Sequence, residues 1–288
     1  MIIIDSYKYK RYLLDRYPAK VAYSLMQLKT GITYVVRVRR SSDNAEQDFR
    51  ATQITDGTLT TFTGVGDGFV TTWYDQGSGI YHATQPIQAN QPQIVASGVL
   101  ITENNKPGIK FGATTTTGLD SNPPFANNNG AVSLYLVSKP LSATQVIYAN
   151  IVDLSHFDGG GLVVQQNGDQ NNNFYFAVRY TGGYYTTDAV SALTFNVNNL
   201  MSYYSTAGSN NVHFRNGTQV ASQSTVGFSG TSGDINIRIG NWRGNNYQVG
   251  GNDRQYNGLI SEIIYYQSDN RASGTAIRSN INTRYTIY

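Results

Sequence analysis

The chain is expected to fold as an all-β sandwich of two antiparallel sheets, and three features of its sequence lead there. Short runs of alternating apolar and polar residues recur along most of its length. Clusters of Gly, Asn and Pro separate them, as turns separate the strands of a sandwich or barrel. The 22 Tyr and the abundant Thr supply side chains that suit a pleated, half-buried surface. A chain of 288 residues can place roughly three quarters of its unfolded surface out of water as one unit. Its lack of Cys therefore costs the fold nothing, while it excludes disulfide scaffolds and thiolate metal sites.

Residues Ser6 to Tyr17 mix Tyr, Lys and Arg with Leu13 and Leu14, and Pro18 interrupts any helix begun there. Residues 1–17 are therefore expected to form an N-terminal arm and 18–288 a single domain. Tyr7, Tyr9, Arg11 and Tyr12 are the arm's candidate contacts with a neighbouring subunit; the alternative is an arm packed on its own domain. Pro18 also suits the first position of a new helix. Val21, Ala22, Leu25 and Leu28 then fall on one helical face and Gly31 offers a stop, which predicts a short helix.

Beyond it the period becomes two. In Tyr34 to Arg40, Val36 and Val38 alternate with Arg37 and Arg39, and Phe69 to Tyr74 forms a second strand before the turn-forming Asp75-Gln76-Gly77-Ser78-Gly79. Further strands are expected at 93–95, 99–102, 109–111, 132–138, 145–152, 161–165, 174–180, 200–205 and 211–215. Asn216-Gly217 tolerates the positive φ angles of a two-residue hairpin turn and joins that last strand to Thr218–Ala221. Ile235–Ile239 alternates up to Gly240, a Gly- and Asn-rich loop runs from Asn241 to Asn252, and Gly258–Tyr266 is a long apolar strand. A short helix through Ala276, Ile277 and Ile281 closes the chain.

Charge argues about partners. A net charge of +3 with 14% charged residues gives no electrostatic footprint for nucleic acid. No run approaches the roughly 20 apolar residues of a membrane-spanning helix. Met1-Ile2-Ile3-Ile4-Asp5 lacks the basic start of a secretory signal, so none is expected.

The final third resembles a LamG or concanavalin A-like domain in Val212 to Val220, Ile237-Arg238-Ile239-Gly240, and Tyr256 to Tyr265. The first third is similar to the start of the α-L-arabinofuranosidase B catalytic domain and to LamG-like segments of bacteriophages. The matching residues are Ala22-Tyr23-Ser24-Leu25, Val36 to Asp43, Trp73 to Gly79 and His82-Ala83-Thr84-Gln85. The resemblance implies a concanavalin-like jelly-roll sandwich with short helices near both termini.

It also implies a retaining glycosidase, which needs two carboxyl groups about 5 to 5.5 Å apart. The resembled family uses a mid-domain Glu as nucleophile and an Asp after the Ile-Gly strand as acid/base. Here the Glu residues are Glu46, Glu103 and Glu262, none of them central, and Gly240-Asn241-Trp242-Arg243-Gly244-Asn245 meets no acid until Asp253. No catalytic residue is therefore expected. Glu262 reads as a structural carboxylate and Asp75 as a loop-fixing one. Arg39, Arg40 and Asp43 are expected to form ion pairs.

The three His residues lack zinc spacing and no Asp-x-Asp-x-Asp run occurs, so no cofactor or transition metal is expected. Asp153, Asp158, Asp169 and Asp253 leave Ca²⁺ open through oxygen-rich loops. Trp242, Asn245, Tyr247, Asp253 and Tyr256 are the candidate carbohydrate-binding residues, because aromatic faces stack on sugar rings and amides bond hydroxyls. The alternative for Trp242 is a plug at the end of the sandwich.

The function expected from these readings is a non-catalytic surface protein of a bacteriophage virion: a capsid decoration, head fibre or tail component. Its partners would be other virion proteins and host-surface glycans, in an oligomeric or assembly-bound state without membrane insertion. The alternatives are an extracellular carbohydrate-binding module and a diverged arabinofuranosidase-type hydrolase working through two Asp residues.

Overall fold

The computed structural model describes residues 12–112, 117–126, 130–141, 149–156, 160–166, 174–180, 183–189, 194–206, 209, 211–223, 235–241 and 255–288. Its strands pair antiparallel throughout. In the first sheet Gly258–Tyr266 is the central strand. Val21–Ser24 and Ile109–Phe111 share one of its sides, and Ala131–Pro140 takes the other. Asn199–Thr206, Asn211–Arg215 and Thr218–Gln223 follow outward.

The second sheet runs Glu46–Phe49, Val36–Arg40, Gly68–Trp73, His82–Thr84, Leu119–Asn122 and Arg238–Ile239. Ala149–His156, Gly160–Gln166, Phe174–Tyr180 and Gly183–Ala189 extend it. Gln93–Ala96 pairs with a strand of each sheet and joins them at one corner.

Two apolar layers hold this arrangement. Between the sheets lie Tyr23, Val36, Val38, Trp73, Leu134, Leu136, Ile263 and Tyr265. The other face of the first sheet presents Ala22, Tyr135, Val137, Ile264 and Tyr266 to the C-terminal helix Arg271–Tyr285, which contributes Ile277, Ile281 and Tyr285. Period-two alternation therefore sends Leu134 and Leu136 one way and Tyr135 and Val137 the other, and both sets are buried. Each such side chain is worth roughly 1.5–3 kcal/mol when fully buried.

The same two-sided burial explains why the expected helix after Pro18 is a strand. Val21 and Tyr23 face the inter-sheet core while Ala22 faces the terminal helix, and Val21–Ser24 forms a ladder with Tyr265–Glu262. Apolar residues on both faces break strict alternation and mimic a helical stripe. The helix that does occur near the N-terminus is Leu13–Arg16, with Leu13 and Leu14 buried in the outer layer. Residues 13–17, assigned to the arm from sequence, thus belong to the packed body, and the helix is tied back through Leu14 N–H to Leu28 O at 2.9 Å.

The Asn216-Gly217 turn forms as expected, with φ of 47° and 78°. Ile235–Ile239 is shorter than expected: Arg238–Ile239 is strand and Ile235 makes an isolated bridge to Phe125. Two short helices, Ala51–Thr55 and Thr58–Thr63, link the edge strand Glu46–Phe49 to Gly68–Trp73.

Candidate functional site

The edge hairpin of the second sheet, with the short helix that follows it, carries a polar concavity. Val36–Arg40 pairs with Glu46–Phe49 so that Val36 faces Phe49 and Arg37 faces Asp48. Val36, Val38 and Phe49 are buried, which forces Arg37 and Asp48 to the other face. There they form a bidentate pair: Arg37 Nε donates to Asp48 Oδ1 at 2.8 Å and Nη2 to Oδ2 at 2.8 Å. Tyr74 OH donates to the same Oδ1 at 2.7 Å.

The bonds from Arg37 hold the Asp48 carboxyl below its usual 3.8, and Tyr74 adds to the effect against the opposing pull of burial. Burial, then the bond to Asp48, pushes the Tyr74 phenol up to about 12. At neutral pH the Arg37–Asp48–Tyr74 unit is a fixed arrangement of one cation, one anion and one neutral hydroxyl.

Tyr34, Arg37, Glu46, Gln47, Asp48, Arg50, Thr52 and Gln53 line a groove of about 660 Å³ around this unit. Tyr34 is 42% exposed. Gln53 Oε1 accepts the Arg50 N–H at 2.9 Å, which fixes the turn from strand into helix. Glu46 Oε2 accepts a long 3.4 Å bond from Thr71 Oγ1. A second depression of about 350 Å³, lined by Gln27, Gly31, Ile32, Thr33, Val35, Arg50, Ala51 and Thr52, shares the Arg50 and Thr52 wall.

The residues singled out from sequence lie elsewhere. Trp242, Asn245, Tyr247 and Asp253 fall outside the described residues, as do Tyr7, Tyr9 and Arg11. Tyr256 does not offer a stacking face: it is fully buried in the inter-sheet core, and burial raises its phenol pKa. Tyr12 OH donates to Gln27 Oε1 at 3.1 Å and so is anchored on its own domain. Of the candidate Ca²⁺ acids, Asp153 sits in a strand opposite Val163 and Arg238, while Asp158 and Asp169 lie outside the described residues. Among the described residues no three His, Asp or Glu side chains come together.

The carboxylates weighed for catalysis have structural partners. Asp75 accepts from Ala22 N–H at 2.9 Å, Gly77 N–H at 2.8 Å, Ser78 OH at 2.8 Å and Gly79 N–H at 3.0 Å, and it thereby shapes the whole turn. Glu262 is 1% exposed and binds Arg284 and the Tyr285 hydroxyl under the C-terminal helix. It does not share a face with Ile260. A bulge at Ser261 breaks the register, so Ile260 faces the inter-sheet core and Ile264 the helix. Glu103 pairs with Lys139.

The ion pairs expected near the first hairpin are also redistributed. Arg40 forms a bidentate pair with Asp43 at 2.8 and 2.7 Å. Arg39 instead donates to the amide oxygens of Gln91 and Asn44, both at 2.7 Å, and lies over the Phe69 ring.

No protein-family model matches the sequence, and no curated protein matches it. Solved structures do share its fold. A crystal structure of an arabinofuranosidase complexed with arabinofuranosyl-α-1,2-xylobiose is 15% identical with a TM-score of 0.64, over 93% of this chain and 63% of that one. A Glu-to-Gln mutant of a GH54 α-L-arabinofuranosidase, soaked with 4-nitrophenyl α-L-arabinofuranoside, is 14% identical with a TM-score of 0.65 over the same shares. The chain thus spans 63% of the length of these structures. The likeness is one of fold, the jelly-roll sandwich expected from sequence.

The Arg37–Asp48 groove was not found from sequence. Its signal was present in the alternation Glu46-x-Asp48, which mirrors Arg37-x-Arg39 across the hairpin and puts opposite charges face to face.

Proposed function

We propose that this sandwich is a non-catalytic glycan-binding module whose ligand lies in the groove of Tyr34, Arg37, Asp48 and Gln53. The observation that carries the proposal is the Arg37–Asp48–Tyr74 unit. It is a preorganised, partly exposed array of donors and acceptors beside an exposed tyrosine ring, which matches the edges and faces of a sugar. Side chains already locked to one another lose little rotamer freedom when a ligand binds.

The same bonds argue against cleavage. A general acid needs a carboxyl pKa raised toward neutrality, and that of Asp48 is lowered. A carboxylate nucleophile needs a free oxygen, and both Asp48 oxygens are engaged by Arg37. The arabinofuranosidase likeness enters only as an analogy of fold.

For the place of display we propose the surface of a bacteriophage virion, on the resemblance of the first third to phage-borne segments and on the low charge of the chain. The Ca²⁺ and oligomer expectations belong to that same proposal. Particles lacking this protein should lose it from the outer shell and adsorb less well to the host; unchanged adsorption would remove the virion assignment.

Glycan arrays followed by calorimetry on the wild type, Tyr34→Ala and Asp48→Asn test the binding site. Each variant should lower affinity at least tenfold, and the bound oligosaccharide should be recovered intact. Equal binding by all three proteins would exclude the groove.

A further inference from the structure

Arg50 stands in the wall between the two depressions and lines both. It is exposed, and its guanidinium has no hydrogen-bond or ion-pair partner among the described residues. Every other charge near it is differently placed. Arg37 and Asp48 neutralise each other, and Glu46 lines the larger groove but not the smaller depression. Among the described residues lining the smaller depression, Arg50 is the one charged side chain, accompanied by the partly exposed Ile32 and Ala51 and the hydroxyls of Thr33 and Thr52.

A cation with five donors beside the partly exposed Ile32 and Ala51 is the complement of a ring that carries a carboxylate on one edge and C–H groups on its face. From this placement we infer that the smaller depression is an acidic-sugar subsite. A ring carboxylate, of the uronic- or sialic-acid kind, is bound by the Arg50 guanidinium and its ring lies over Ile32 and Ala51. The inference rests on the glycan-binding reading and names its ligand class: the larger groove takes neutral hydroxyl-bearing units, and the shared wall takes the acid. Glu46 on the far side disfavours a carboxylate in the larger groove, which gives the bound chain a direction.

Calorimetry with three probes tests this: a neutral oligosaccharide, its counterpart ending in glucuronate, and its counterpart ending in sialate. The wild type should bind at least one acidic probe tenfold or more tightly than the neutral one, with the difference shrinking at high salt. Arg50→Gln should bind the acidic and neutral probes equally. Glu46→Gln should keep or widen the acidic preference. A wild type that binds neutral and acidic probes alike, or an Arg50→Gln protein that keeps the preference, would overturn the acidic subsite and leave the groove standing. Absence of binding to all three probes by the wild type would overturn both.

Discussion

Acidification should expose one buried residue above all, His213. It lies on Asn211–Arg215 at 2% exposure, stacked on Tyr203 with ring centroids 4.2 Å apart, and neither ring nitrogen has a hydrogen-bond partner among the described residues. Burial pushes its pKa down from 6.5 to about 3, and the nearby Arg215 charge adds to the shift. The folded state therefore refuses a proton that the unfolded chain accepts. Above pH 6.5 both states are neutral and the residue contributes nothing to the pH dependence. As pH falls from 6.5 toward 3, the unfolded state binds more protons and stability declines.

At 1.36 kcal/mol per unit, the full window costs about 5 kcal/mol and the span from pH 6.5 to 4 about 3 kcal/mol. His82, also lowered by burial, adds a slope of the same sign, so the informative quantity is a difference between proteins. His213→Phe keeps the ring against Tyr203 and removes both unpaired nitrogens, so it should be as stable as the wild type or more so at pH 7. Denaturant unfolding at pH 7, 6, 5 and 4 measures the effect. The advantage of the variant should grow by about 3 kcal/mol between pH 6.5 and 4. Parallel stability curves for the two proteins would refute the argument.

Other perturbations follow from the same geometry. Gly112 has a φ of +85°, and a Cβ there would meet Asn257 Cα at 2.6 Å and Tyr256 O at 2.7 Å; Gly112→Ala should cost about 2–4 kcal/mol in thermal or denaturant unfolding. Glu262→Gln leaves Arg284 of the C-terminal helix without its charge partner and should cost about 3 kcal/mol, whereas replacing both residues with apolar ones should restore much of the loss. Asp48 has a lowered pKa, so its ionised form and the groove's hydrogen bonds should persist as pH falls through 3.8 and fail below it. Glycan affinity measured from pH 7 downward should therefore stay level through pH 3.8 and drop only below it.

Much of the sandwich was legible because one period dominates it. Ile109–Phe111, Phe174–Tyr180, Asn211–Arg215 and Gly258–Tyr266 have the bounds expected from sequence. The Asn216-Gly217 turn was readable because few other pairs accept two positive φ angles. Legibility failed at Val21–Ser24, because a strand of four residues is too short to show a period of its own and, with Leu25 and Leu28, its apolar residues fall at helical spacing. Nothing in the local pattern marks the bulge at Ser261, which puts Glu262 on the helix-facing side. The short helices at Ala51–Thr55 and Thr58–Thr63 escaped because helices of five and six residues offer barely a turn of pattern.

The candidate site was less legible for a different reason. Sequence reasoning favoured aromatic residues near a Gly-rich loop, but aromaticity alone does not separate a stacking platform from a core residue, and Tyr256 proved to be core. The groove depends on a cross-strand register that brings Arg37 opposite Asp48 and on a third strand that adds Tyr74. The Arg37–Asp48 pair lies within one hairpin, whereas Tyr74 comes from 26 residues beyond Asp48, outside any local window.

Amide-resolved NMR titration with an acidic oligosaccharide bears most directly on the central claim, because one sample reports both where the sugar binds and whether it is cut. Shifts should concentrate at Tyr34, Arg37, Asp48, Arg50 and Gln53, with the oligosaccharide's anomeric signals unchanged over days. Shifts confined to other parts of the sandwich, or the appearance of a new reducing end, would contradict it.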